Sequence, residues 1–136
     1  NYKEFYLTHE KMTRFVMTLD QSVDLIEYAI IYANSGDTVI SELISLKVKD
    51  LIEIFSEKYN KPIKISGLRP GEKLLESLIN ETQSGRIKKH GKYTHIKSVF
   101  SYKKTIDAEH LRDYNSTINP LTKQELKEYL IKLNLL

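Results

Sequence analysis

A mixed α/β fold is predicted by three features of the sequence. Apolar residues recur at three- and four-residue steps near 19–33, 48–59 and 126–133, the period of amphipathic helices. Short runs rich in β-branched residues separate these stretches. No strand-like run leads into a glycine-rich phosphate loop of the G-x-G-x-x-G or P-loop kind, which argues against a complete doubly wound domain.

Residues 5–8 and 12–18 read as short extended pieces. Thr18, with Gln21 three positions on, predicts a capped helix start, and Asp20 and Asp24 suit its positive end. Leu19, Val23, Ile26, Ile30 and Ala33 give that helix one apolar face, and Gly36 predicts its end near Asn34. Residues 38–44 form a strand candidate. Ser45 is the expected cap of a second helix with Val48, Leu51, Ile52, Phe55 and Tyr59 inward, broken by Asn60-Lys61-Pro62. Ile63–Ser66 predicts a short strand. The two-glycine turn Gly67-Leu-Arg-Pro-Gly-Glu-Lys73 follows and is expected to run into a short helix over 74–80. Tyr93–Phe100 alternates as a strand, and 113–120 is loop-like. Thr122 with Glu125 makes a capping box before the stripe Leu126, Tyr129, Leu130 and Leu133.

The 136 residues are enough for one domain, with 40% hydrophobic and 29% charged residues and no apolar run long enough to span a membrane. Asn1–Phe5 lack the grammar of a signal peptide, and the start at Asn1 admits a piece of a longer protein. Cysteine is absent, which removes disulfides, thiol nucleophiles and Cys-ligated zinc and is compatible with a cytoplasmic location. The net charge of +3 conceals a basic segment. Arg86, Lys88, Lys89, Lys92, Lys97, Lys103 and Lys104 meet no acid between Glu81 and Asp107, leaving 14 basic against 18 acidic residues elsewhere.

The turn Gly67–Lys73 is the strongest functional signal. Two glycines admit close backbone approach, Pro70 restricts the chain beside Arg69, and a guanidinium there offers a fork of donors to phosphate oxygens. Glu72 is placed to accept from hydroxyls, so the pair could read a diphosphate and a ribose; a structural turn with a surface Arg–Glu pair stands equally open at this point. Arg14, at the start of a strand before a capped helix, can point into a cleft. Tyr93-Thr-His-Ile-Lys97 matches a Tyr-x-x-x-Lys catalytic pair in letters only. That chemistry needs a helix, and this stretch reads as extended. His9, His90, His95 and His110 show no metal-ligand spacing. The stretch 86–104, with Tyr93, Phe100 and Tyr102 interleaved, supplies a nucleic-acid-binding alternative, although its lysines match no known module.

Residues 12–26 and Gly67–Leu74 closely resemble the C-terminal half of nucleotide-sugar 4,6-dehydratases of the extended short-chain dehydrogenase/reductase superfamily, within it the UDP-N-acetylglucosamine group, with or without inversion at C5. The resemblance is specific over 7–80, extends to 113–136 and is poor over 81–112. It implies one UDP-sugar-binding C-terminal domain over 1–136, made of a core at 1–80, a basic variable segment at 81–112, and a closing loop and last helix at 113–136. It also implies that Arg69 and Glu72 contact the diphosphate and nucleoside and that Arg14 lies near the cleft. Family members carry an N-terminal Rossmann half with the NAD(P) loop and a helical Tyr-x-x-x-Lys pair. The expectation is therefore a substrate-binding lobe, isolated or truncated, without catalytic residues and inactive alone. It would bind no cofactor by itself, need NAD(P) in the complete enzyme, and partner a UDP-sugar and a Rossmann half or complete dehydratase subunit, with no nucleic acid and no membrane. A non-catalytic regulatory module derived from the family is the other expectation.

Overall fold

A computed structural model describes residues 3–104 and 112–136. In chain order the elements are β1 (Phe5–Leu7), β2 (Thr13–Val16), α1 (Leu19–Tyr32), β3 (Thr38–Ser41), β4 (Ile44–Lys47), α2 (Val48–Tyr59), β5 (Ile63–Ile65), β6 (Ser77–Ile79), α3 (Glu81–Ser84), β7 (Ile87–His90), β8 (Tyr93–Ile96), β9 (Tyr114–Asn115) and α4 (Lys123–Lys132). The fold is mixed α/β, as the sequence predicts. No helix among the described residues is long and apolar enough to cross a membrane.

The chain forms two compact units. The first comprises residues 1–16, 44–76 and 116–136. Here β2 pairs antiparallel with β4, placing Arg14 opposite Leu46, and β1 pairs parallel with β5. Its core is Leu46, Ile54, Leu126 and Leu130, with Val16, Val48, Leu51, Phe55 and Leu121 packed around them. Both long helices of this unit contribute to the core, and Lys123 of α4 joins Glu53 and Glu57 of α2 at 2.8 and 2.9 Å. Thr122 caps α4 through the Glu125 N–H, the predicted capping box.

The second unit comprises residues 17–43 and 77–115. Its antiparallel sheet has the order β3-β8-β7, α1 packs on it through β3, and β6 pairs with β9 beside it. The Thr18–Gln21 capping box starts α1 as predicted.

Four local expectations are corrected. Residues 74–80 are not helical: Ser77–Ile79 is a strand on β9, and the helix starts only after Asn80, whose side chain accepts from the Gln83 N–H at 2.9 Å. The carbonyls of Leu74 and Glu76 accept from the N–H groups of Thr13 and Ser116, so long-range partners occupy the acceptors a local helix would use. Ser45 does not cap α2; it sits buried in β4, donating to the Ile118 carbonyl. The Val48 N–H at the start of α2 donates instead to the Met12 carbonyl at 2.9 Å. The strand expected over 38–44 divides into β3 and β4, which join different units. Finally, α1 ends at Tyr32 with Ala33 as an extended cap, and Gly36, at φ 82°, serves the turn after it, where the Asp37 N–H donates to Asn34.

Candidate substrate-binding site

Strand β5 delivers the chain into the Gly67–Lys73 turn within the first unit. Gly67 and Gly71 have φ of 82° and 83°, the left-handed region that disfavours a side chain, so the turn needs both. Between them Arg69 is exposed. Glu72 closes the turn from both directions: its N–H donates to the Arg69 carbonyl at 3.0 Å, and its Oε2 accepts from the Arg69 N–H at 3.1 Å. Its Oε1 lies 3.5 Å from the Thr8 hydroxyl. Glu72 thus shapes the backbone that presents Arg69.

Arg14 ties the far end of the same turn to β2. Its guanidinium donates to the carbonyls of Lys73 and Thr13, each at 2.8 Å, and its Nε lies 3.7 Å from Glu76. One layer deeper, the fully buried Ser116 hydroxyl lies 2.7 Å from Thr13 Oγ1 and accepts from the Glu76 N–H at 3.0 Å. Arg14, Arg69 and Glu72 therefore belong to one hydrogen-bonded segment. Glu76, Thr13 and Ser116, which hold that segment, carry no sequence signal, because single hydroxyls and carboxylates acquire this role only through contacts distant in sequence.

Part of the basic segment is engaged within the second unit. The Arg86 guanidinium donates to the Lys97 carbonyl, Lys97 pairs with Asp37 at 2.5 Å, and Lys92 with Asp24 at 3.5 Å. Lys88, Lys89, Lys103 and Lys104 are exposed. Tyr93 lies on β8 and Lys97 follows it, so the pair shares no helical face. Among the described residues no cluster of three or more His, Asp or Glu could hold a metal; His110 lies outside them. A cavity of about 340 Å³ in the second unit, lined by residues including Ile40, Ile79, Ile87 and Tyr114, contains none of the three site residues.

Among the described residues the positive-φ glycines are Gly36, Gly67, Gly71 and Gly91, each in a turn. The opening of α1 is closed by Thr18, which accepts the Gln21 N–H.

The sequence profile of the family described as polysaccharide biosynthesis protein matches residues 1–98, past the residue 80 at which the sequence resemblance weakens. A UDP-glucose 4-epimerase of Rickettsia bellii is 34% identical over 97% of this chain and 42% of its own length. An uncharacterized membrane protein of Methanocaldococcus jannaschii is 45% identical over 57% of this chain and 26% of its own. Among solved structures, Pen from Bacillus thuringiensis superposes with a TM-score of 0.84 at 30% identity, covering 98% of this chain and 43% of that one. The chain thus spans less than half the length of these relatives.

Proposed function

The chain belongs to the family of polysaccharide biosynthesis proteins and has the fold of the C-terminal region of extended short-chain dehydrogenase/reductases, and we propose that it grips the nucleotide of a UDP-sugar for a sugar-nucleotide-modifying enzyme. The observation that carries the reading is the turn that presents Arg69 between two left-handed glycines, pinned at its exit by Arg14. A guanidinium on a pre-shaped turn loses little freedom on meeting a diphosphate and offers it paired donors. In this reading Arg69 takes the diphosphate, Glu72 sets the turn and meets the nucleoside, and Arg14 lies beside the cleft.

The finer proposal is a 4,6-dehydratase of the UDP-N-acetylglucosamine type, with or without inversion at C5, although the named curated relatives include UDP-glucose 4-epimerases. Hydride chemistry then falls to a Rossmann half carrying NAD(P). Two features of the second unit support such a partner. Leu19, Val23, Ile26 and Ile30 form an apolar stripe on α1 that is 53–86% exposed. Beside it, β3 is an edge strand that pairs only with β8 among the described residues.

The test is calorimetric titration of UDP and uridine into the chain complexed with a cofactor-binding half. Arg69→Ala should weaken UDP by about ten- to a hundred-fold, the worth of a charged hydrogen bond, and leave uridine unchanged. Arg69→Lys should recover part of the loss. Parent-like UDP affinity in both folded variants would reduce Arg69 to a surface residue.

A further inference from the structure

The second unit holds a cluster of titratable side chains that nucleotide binding does not use. Tyr28 of α1 stacks on Tyr93 of β8 with ring centroids 3.7 Å apart. Its hydroxyl lies 2.5 Å from His90 Nδ1 on β7 and 2.9 Å from His95 Nε2 on β8. His95 is buried, and among the described residues its Nδ1 has no hydrogen-bond partner; the Asp37 carboxylate stands 3.9 Å away.

A phenol has one proton. Tyr28 can donate it to one imidazole nitrogen while accepting the N–H of the other, so the bridge closes only while at least one ring presents a bare nitrogen. We propose that Tyr28, His90 and His95 form an acid-released latch that holds α1 against the sheet of the second unit. With both rings protonated, two N–H donors face one phenol oxygen, the phenol proton loses its acceptor, and two positive charges confront each other across it.

The surrounding charges do not relieve that conflict. From α1, Asp24 is paired with Lys92, and the Tyr32 ring packs beside Tyr28 with centroids 4.9 Å apart. After α1, Asp37 is buried and engaged by Lys97 and by the N–H groups of Ser98 and Asn34. From β7 and the segment following β8, Lys88 and Lys97 add positive charge near His95. Burial alone would raise the Asp37 carboxyl, but its hydrogen bonds hold it below the usual range, so it stays ionised as His95 takes up a proton. Burial first, and then Lys97, push His95 below the ordinary histidine value, with Asp37 offsetting part of that. A folded value lowered in this way leaves the latch intact above the ordinary histidine range and weakens it as pH falls through that range. The apolar stripe proposed to meet a cofactor half lies on the same helix, so release would loosen that surface too; the latch itself stands on contacts within the second unit alone.

Hydrogen exchange of the α1 amides, corrected for intrinsic rates, tests the latch between pH 7.5 and 5 on the chain itself. Protection of α1 should fall by up to about tenfold per pH unit for each proton taken up on opening, while α2 and α4 keep theirs. His90→Gln, at an exposed position, retains both a donor and an acceptor and should flatten that dependence. Tyr28→Phe should leave α1 poorly protected already at pH 7.5. The proposal is overturned if α1 protection ignores pH, if His90→Gln keeps the parent's slope, or if α2 and α4 lose protection in parallel, which is global acid unfolding.

Discussion

At the residue scale, the hydroxyl pair beneath the turn separates support from contact. Ser116 is fully buried and joins Thr13 Oγ1 to the Glu76 N–H. Ser116→Ala leaves the buried Thr13 hydroxyl and the part-buried Glu76 N–H without it, a cost of about 1–3 kcal/mol in chemical denaturation. Thr13→Val should cost a similar amount, and the double variant less than the sum, because each single change already breaks the shared bond. Additive losses would show that the two hydroxyls act separately. Arg69 was legible in the sequence because two glycines and a proline in seven positions restrict a backbone visibly. Its supports were not, since nothing local marks residues 13, 76 and 116 as neighbours.

At the element scale, α4 shows local and tertiary signals in agreement. Its capping box and apolar stripe are both explicit in the sequence, and Leu126 and Leu130 are the residues that become buried. Leu126, at 0% exposure against Leu46, Ile54 and Leu130, should lose about 2–5 kcal/mol on truncation to Ala, read as a lowered denaturation midpoint with an unchanged slope. A loss within about 0.5 kcal/mol, the range of surface positions, would remove Leu126 from the core. For α2 the period was legible but the facing residue was not: Ile54 is buried, whereas Tyr59, expected inward, is 53% exposed. The 74–80 stretch marks the opposite case, where helix-compatible residues were drawn into a strand by β9.

At the scale of the whole molecule, the proposed reading divides labour between this chain and a cofactor half. Incubated alone with UDP-N-acetylglucosamine and NAD(P), the chain should form no 4-keto-6-deoxy product, and the assembled pair should form it. Product from the chain alone, free of contaminating enzyme, would sink that division. The α1 stripe supplies the matching binding test. Val23→Asp with Ile26→Asp places two charges on an exposed face, so the second unit should keep its circular dichroism while association with the cofactor half falls at least about tenfold, a bound set below the roughly 1.5–3 kcal/mol that burying one such apolar side chain contributes. Association unchanged by the two aspartates would exclude the stripe as the contact.

By itself the sequence determined the fold class, the two capping boxes that start α1 and α4, the restricted turn and the residue it presents. These depend on interactions within a few residues, where spacing and residue type are sufficient. Only the tertiary structure decided that 77–79 pair as a strand, that Met12 rather than Ser45 serves the start of α2, and that Arg14 ties the turn to β2. It also decided that Tyr28, His90 and His95 meet at one hydroxyl, across 62 and 67 positions of chain. A backbone carbonyl or a histidine nitrogen accepts whichever donor the packed fold brings to it, and that choice is made by the whole chain.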